Sequence, residues 1–265
     1  MYLMLCTWPD LAYAVGALGK FSSNSRQPHM NAVKRLLRYV SKTRAQGLHF
    51  GPFTQDSTPV AYVFSDADWA GDPNKRRRTG AYLCTICDQR SNSVHTAVSW
   101  SSKQQAMVAL SSTESESMAL TQACKEVICV QRFMQELATI TGQGGCTGPI
   151  TIFADNQVSM ALAKNPEFYS RNKHISIQQH CIREKVQVDE VQLKHLPMGD
   201  ILADLLIKFI TGRTGPENTG PQPFSPLHPT QRPTAGCLFR HSLPLSPLRP
   251  QPHPFPRQVA VKNSW

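Results

Sequence analysis

The chain has 265 residues, 40% of them hydrophobic, which is enough for one or two domains with a buried core. Lysine and arginine number 28 against 18 aspartate and glutamate, a formal net charge of +10 that points to a polyanionic partner, nucleic acid foremost. The apolar start lacks a basic leader, no run of about 18 apolar residues occurs, and the eight cysteines show no framework spacing, so secretory, membrane-spanning and disulfide-stapled classes are set aside for a cytoplasmic or nuclear protein with free thiols.

In chain order, Trp8-Pro9-Asp10 opens a first helix, and 31–44 reads as a second. Val33, Leu36, Leu37 and Val40 recur at helical spacing there, with Lys34, Arg35, Arg38 and Lys42 on the other side. Two short helices cannot form a core of their own, so 1–50 reads as a connecting piece. Strands are expected at 60–64, at 82–87 and at 97–100, with 107–110 as a candidate continuation of the last. A long helix over 113–138 follows. Then come a strand at 150–154, helices at 156–164 and 175–186, a strand at 191–196 and a last helix over 199–210. This α/β order, an antiparallel meander followed by parallel additions, defines one domain over 58–210. The segment 212–265 is rich in Pro, Ser, Gly, Arg and His without periodicity and is expected to be a disordered tail.

Four acids stand where elements meet the edge of the sheet. Asp66 continues the strand face of Val60, Tyr62 and Phe64, and Asp155 directly follows the apolar strand 150–154, at the carboxyl end where ligands bind open α/β sheets. From Glu116, steps of four and three reach Leu120, Ala123, Val127, Val130, Met134 and Leu137, so Glu116 belongs to the sheet-facing stripe of the long helix. Glu114 shares its stripe with Met118, Gln122 and Lys125, a wetter side. Asp204 lies among Leu202, Leu205 and Leu206. Converging carboxylates repel one another. A pair of Mg²⁺ ions, for which Mn²⁺ can substitute, relieves that repulsion and can flank a phosphodiester.

Each acid has a plainer reading. Thr113-x-x-Glu116 is also a capping box, and Asp155-Asn156 could cap the next helix. Asp66 and Asp68 could form a turn, and Asp204 could pair with Lys208 at i+4. Elsewhere, Lys75-Arg76-Arg77-Arg78 is a solvated loop or a phosphate contact. Cys84-x-x-Cys87 has no second pair and reads as core thiols. His174, His180 and Cys181 do not form a closed ligand set, and Trp69 and Trp100 are packing residues by default.

Taken together, a series of segments resembles the ribonuclease H domain of copia-type retrotransposon Pol polyproteins. They are 65–72 (SDADWAGD), 99–105 (SWSSKQQ), 109–116 (ALSSTESE), 155–157 (DNQ), 161–166 (ALAKNP), 170–175 (SRNKHI), 182–186 (IREKV) and 202–204 (LAD). Segments 9–15 and 33–39 resemble the stretch that follows the polymerase palm in that family, so the resemblance covers about residues 1–211. Departures are Ser117 in place of Tyr, Ser176 in place of Asp, Gln179 in place of an aromatic residue, and a longer polar stretch at 87–97.

The resemblance implies a ribonuclease H-like fold with a mixed five-stranded sheet flanked by helices. It implies a helical remnant of reverse transcriptase at 1–50 and metal-dependent hydrolysis of the RNA strand of RNA–DNA hybrids. It assigns the catalytic and metal-binding roles to Asp66, Glu116, Asp155 and Asp204, with two Mg²⁺ ions. The RNA–DNA hybrid and the reverse transcriptase portion of the polyprotein become the expected partners. Arg76, Arg77, Arg78 and Lys103 are candidates for hybrid contact. The alternative is a module that grips nucleic acid without cutting it.

Overall fold

A computed structural model describes residues 1–48, 50, 59–68, 77–88, 95–109, 111–142, 148–164 and 173–207. The proline-rich segment 212–265, Trp69, Arg76 and Lys208 lie outside the described residues. Three helices come first: α1 (Tyr2–Cys6), α2 (Leu11–Gly19) and α3 (Gln27–Thr43). The body follows as β1 (Pro59–Ala67), β2 (Thr79–Asp88), β3 (Thr96–Gln104), α4 (Ser112–Thr141), β4 (Ile150–Ala154), α5 (Gln157–Lys164), α6 (Lys173–Gln187) and β5 (Val191–His195). Two short 3-10 helices, Met198–Asp200 and Leu202–Leu206, close the described chain.

The five strands form one sheet in the order β3-β2-β1-β4-β5. β1, β2 and β3 pair antiparallel, while β4 joins β1 and β5 joins β4 in parallel. This mixed sheet, flanked by helices, is the ribonuclease H-like arrangement that the resemblance implies.

Period-two alternation divides β1 between two cores. Ala61 and Val63 face α4 and α6, packing with Leu120, Ala123, Val127, Ile152 and Ile182. Tyr62 and Phe64 face the other way and pack with Phe153, Leu83, Leu202, Leu206 and Ala12. Phe64 stacks on Phe153 at 5.3 Å between ring centroids. Each large side chain buried this way contributes about 1.5–3 kcal/mol.

The N-terminal helices are joined to this body. Ala12 enters the second core, and Trp100 donates its indole N–H to the Met4 carbonyl at 2.6 Å. Asp10, buried before α2, accepts a hydrogen bond from the Tyr39 hydroxyl of α3. α3 is half-buried along Val33, Leu36, Tyr39 and Val40, and exposes Lys34, Arg35, Arg38 and Lys42.

Two of the expected elements differ. Over the described part of the expected last helix, 199–207, two 3-10 helices stand instead, because Ile201 adopts an extended backbone that divides the segment. That break lets Ile201, Leu202, Ala203, Leu206 and Ile207 all reach the sheet. The third strand does not continue through 107–109, residue 110 lying outside the described residues: it ends at Gln104, and Met107 and Val108 are exposed. Gln105 instead turns its backbone N–H to the Arg78 carbonyl at 2.7 Å. Among the described residues, no helix is long and apolar enough to cross a membrane.

Candidate active site

Asp66 lies inside β1, opposite Ala81 of β2, and is almost fully buried. The strand runs one residue beyond it, so Asp66 is part of the sheet and not a turn former. Its Oδ1 accepts the Ala67 N–H at 2.8 Å, which fixes the carboxylate at the strand end. Asp155 follows β4, the parallel neighbour of β1, and comes to the same edge. Asn156 takes the capping role before α5: its Oδ1 accepts the Ser159 N–H at 2.9 Å. The helix therefore has a cap other than Asp155.

Glu116 comes from the first turns of α4, whose N-cap is Ser111. The Ser111 hydroxyl accepts the Glu114 N–H at 3.1 Å. The capping register is thus 111–114, one that leaves out both Thr113 and Glu116. Glu114, expected on the wetter side, is buried as deeply as Glu116 (8% against 9% exposed). Every residue from Glu114 to Thr121 is buried, because the start of α4 is covered on all sides. The two glutamates still diverge, since residues two apart on a helix do not share a face.

Asp66, Glu116 and Asp155 each offer a carboxylate oxygen, and the three oxygens lie within 4.8 Å of one another. Asp204 stands outside this group. It is half-buried in the second 3-10 helix, which packs on β1 and β2. Burial first, and then the Asp66 and Asp155 charges, push the Glu116 carboxyl up to about 9, against the Ala67 N–H and the Arg78 guanidinium. The donor set is all carboxylate oxygen, without His or Cys, which is the chemistry a hard divalent cation prefers. Such an ion would also offset the repulsion that, added to burial, favours a protonated Glu116.

The other candidates divide. Arg77 is exposed, and Arg78 is half-buried and close enough to act on Glu116. Lys103 is exposed on β3 opposite Gly80, at the rim of a cavity of about 290 Å³ lined also by Gln105, Met107 and Met118. Cys84 and Cys87 are buried free thiols pushed up to about 12 and about 11 by burial, as core cysteines should be. His180 is exposed and Cys181 half-buried, and among the described residues they join no metal cluster. Trp100 is held by packing and its bond to Met4. Sequence reading missed the local roles of Arg78 and Gln105. The only available signal was that both fall within or beside segments already noted.

No family model matches the chain. It is 37% identical over 210 residues to the retrovirus-related Pol polyprotein from transposon TNT 1-94 of Nicotiana tabacum, covering 79% of this chain and 14% of that protein. It is 35% identical over 212 residues to the Pol polyprotein from transposon RE1 of Arabidopsis thaliana, covering 80% and 13%. The chain belongs to the retrovirus-related Pol polyproteins of transposons. It spans about one seventh of the length of these two relatives. A further relative, the secreted RxLR effector protein 161 of Plasmopara viticola, is 47% identical over 128 residues, 48% of this chain and 83% of that protein. Among solved structures, LC11-RNase H1 in complex with RNA/DNA hybrid aligns with a TM-score of 0.37 at 15% identity, over 56% of this chain and 93% of that one. Within this Pol chain, the ribonuclease H-like domain is the part that carries the three converging carboxylates.

Proposed function

We propose that residues 58–210 form a metal-dependent endonuclease that hydrolyses the RNA strand of RNA–DNA hybrids, and that 1–50 is the adjoining remnant of reverse transcriptase. The observation that carries this reading is the meeting of Asp66, Glu116 and Asp155 from three separate elements at one end of the sheet. Family membership supplies the choice of substrate.

Asp66, central in the sheet, would contact both of two Mg²⁺ ions, with Mn²⁺ able to substitute. Glu116 and Asp155 would complete the first site, and Asp204 would help hold the second. When bound, the ions would activate the attacking water and stabilise the leaving 3′ oxygen. The chain's own part is to hold the acids rigidly. Asp66 is fixed by the Ala67 N–H and Asp155 by the end of β4, while Glu116 is carried on a helix clamped along its length by Leu120, Ala123 and Val127.

The cluster repels the phosphates it must approach, so cations nearby have to draw the hybrid in. Arg78, which acts on Glu116, and the exposed Arg77 and Lys103 would supply that attraction, and the exposed cations of α3 would add to it. α2, which carries α3, reaches the same end of the sheet, where Tyr13 feels the charge of Asp68.

The test is a substrate panel of hybrid, duplex RNA, duplex DNA and single strands, with Mg²⁺ and then Mn²⁺. Cleavage confined to the RNA of the hybrid, and lost in Asp66→Asn, is the expected result. Cleavage of duplex DNA, or activity retained in Asp66→Asn, would overturn the assignment. One observation favours a second reading, a module that binds hybrids without cutting: Asp204 stands apart from the other three acids. Tight hybrid binding with no cleavage in either metal would select it.

A further inference from the structure

Gln105 follows the last residue of β3 and touches both α4 and the start of β2. Its side-chain N–H donates to the Ser115 carbonyl at 2.8 Å, and its Oε1 accepts from the Ser115 hydroxyl at 3.1 Å. The amide orientation is fixed by chemistry, since a carbonyl can only accept. Its backbone N–H donates to the Arg78 carbonyl at 2.7 Å, just before β2. The approach is close: a Cβ at Gly80 would meet the Gln105 amide nitrogen at 3.2 Å and the Ala119 methyl at 3.5 Å. Ser115 is fully buried in the first turn of α4, and the next residue is Glu116.

From these contacts we infer that Gln105 is a positioning residue that clips the start of α4 to the start of β2 and so holds Glu116 at the acid cluster. The inference rests on the metal-binding role given above to Asp66, Glu116 and Asp155. Glu116 must ionise beside Asp66 and Asp155 to take a cation, and that repulsion presses on the start of α4, one turn before the apolar stripe that begins at Leu120. Gln105 supplies the restraint at the point where the force acts. Through its backbone it also sets Arg78, whose guanidinium offsets the charge of Glu116. Gln105 touches neither the ion nor the hybrid in this account; it acts through Ser115 and Arg78.

The experiment is calorimetric titration of the full chain with Mn²⁺, without nucleic acid, for wild type, Asp66→Asn, Gln105→Met and Ser115→Ala. Methionine keeps the length of glutamine but makes neither side-chain bond. Wild type should bind and Asp66→Asn should not. Gln105→Met should bind about tenfold more weakly, while its metal-free melting temperature stays within about 4 °C of wild type. The half-saturating Mg²⁺ concentration for cleavage should rise while KM for the hybrid holds, a split that a merely structural residue would not produce. Ser115→Ala keeps the bond to the Ser115 carbonyl, so it should weaken Mn²⁺ binding less, and it carries the test if Gln105→Met does not fold. Wild-type Mn²⁺ affinity in Gln105→Met, or in Ser115→Ala should that variant be the one that folds, overturns the positioning role alone. A wild type that binds no Mn²⁺ overturns the metal site, and the positioning role with it.

Discussion

The two charged regions of this molecule are built by opposite means. At the sheet end, Asp66, Glu116 and Asp155 are drawn together in a buried or half-buried setting, with their oxygens within 4.8 Å. On α3, Lys34, Arg35, Arg38 and Lys42 are exposed, and among the described residues none of them is ion-paired. No Asp or Glu occurs between Leu11 and Gln55 to offset them. Burying like charges works against folding, so an arrangement of that kind persists only where the surrounding fold enforces it. Exposed like charges on a helix cost little and are screened by salt. The acid cluster is therefore the feature that speaks for chemistry, and the basic helix speaks for attraction at long range.

The largest effect expected is on the acid cluster. Asp66→Asn should lower the cleavage rate by at least about a hundredfold, the scale on which removal of one transition-state stabilising group acts. It should not lower the melting temperature of the metal-free protein, because it removes one of the repelling charges. A loss of folding in that variant would show that Asp66 is structural and erase the contrast with α3.

Next comes a dependence on pH that only the buried region should show. The Glu116 carboxyl is raised from an ordinary value of 4.5 to about 9, so between those values the folded state holds a proton that the unfolded chain releases. Its contribution to stability is fully present below about pH 4.5 and is lost as pH rises through about 9. The metal-free protein should therefore melt at lower temperature at pH 8.5 than at pH 5.5. Glu116→Gln should flatten that difference, and Mn²⁺ should restore the melting temperature at the higher pH. An unchanged slope in Glu116→Gln would mean that other groups set it.

The basic region should respond to salt. The triple variant Lys34→Gln/Arg38→Gln/Lys42→Gln should reduce the magnitude of the log–log salt slope of hybrid binding by about 2–3, with stability changed by less than about 0.5 kcal/mol. Binding measured in Ca²⁺ by anisotropy checks it. An unaltered slope would leave α3 as a solvated face. The smallest effect concerns Ser117, whose buried hydroxyl has no hydrogen-bond partner among the described residues. Ser117→Ala should raise stability, by up to about 1 kcal/mol, in a denaturant titration. A loss instead would reveal a partner for that hydroxyl.

Much of the fold was legible because its elements are strongly patterned. The run from Ile150 to Ala154 is a strand with the bounds expected, and the Glu116 stripe is buried from Leu120 through Met134. The stripe fails at Leu137, which is exposed where α4 outruns the sheet. Local patterning could not reveal how completely the start of α4 is enclosed, so Glu114 was expected to be wet. Nor could it reveal that Ile201 divides the last helix, because that choice is made by packing against β1 and β2. Gln105 carries no periodicity signal at all; its partners lie in Ser115, ten residues on, and Arg78, on another strand approach. Of the candidate site, three acids converge, and Asp204 does so only under the proposed arrangement with metal.

Glu114 and Glu116 are equally buried, two residues apart and chemically identical, so they separate burial from site geometry. The most direct measurement is cleavage of one labelled RNA–DNA hybrid in Mg²⁺ by wild type, Glu116→Gln and Glu114→Gln. Cleavage by wild type and Glu114→Gln, with none by Glu116→Gln, is the result the acid cluster predicts. Equal loss in both variants, or activity retained in Glu116→Gln, would contradict it.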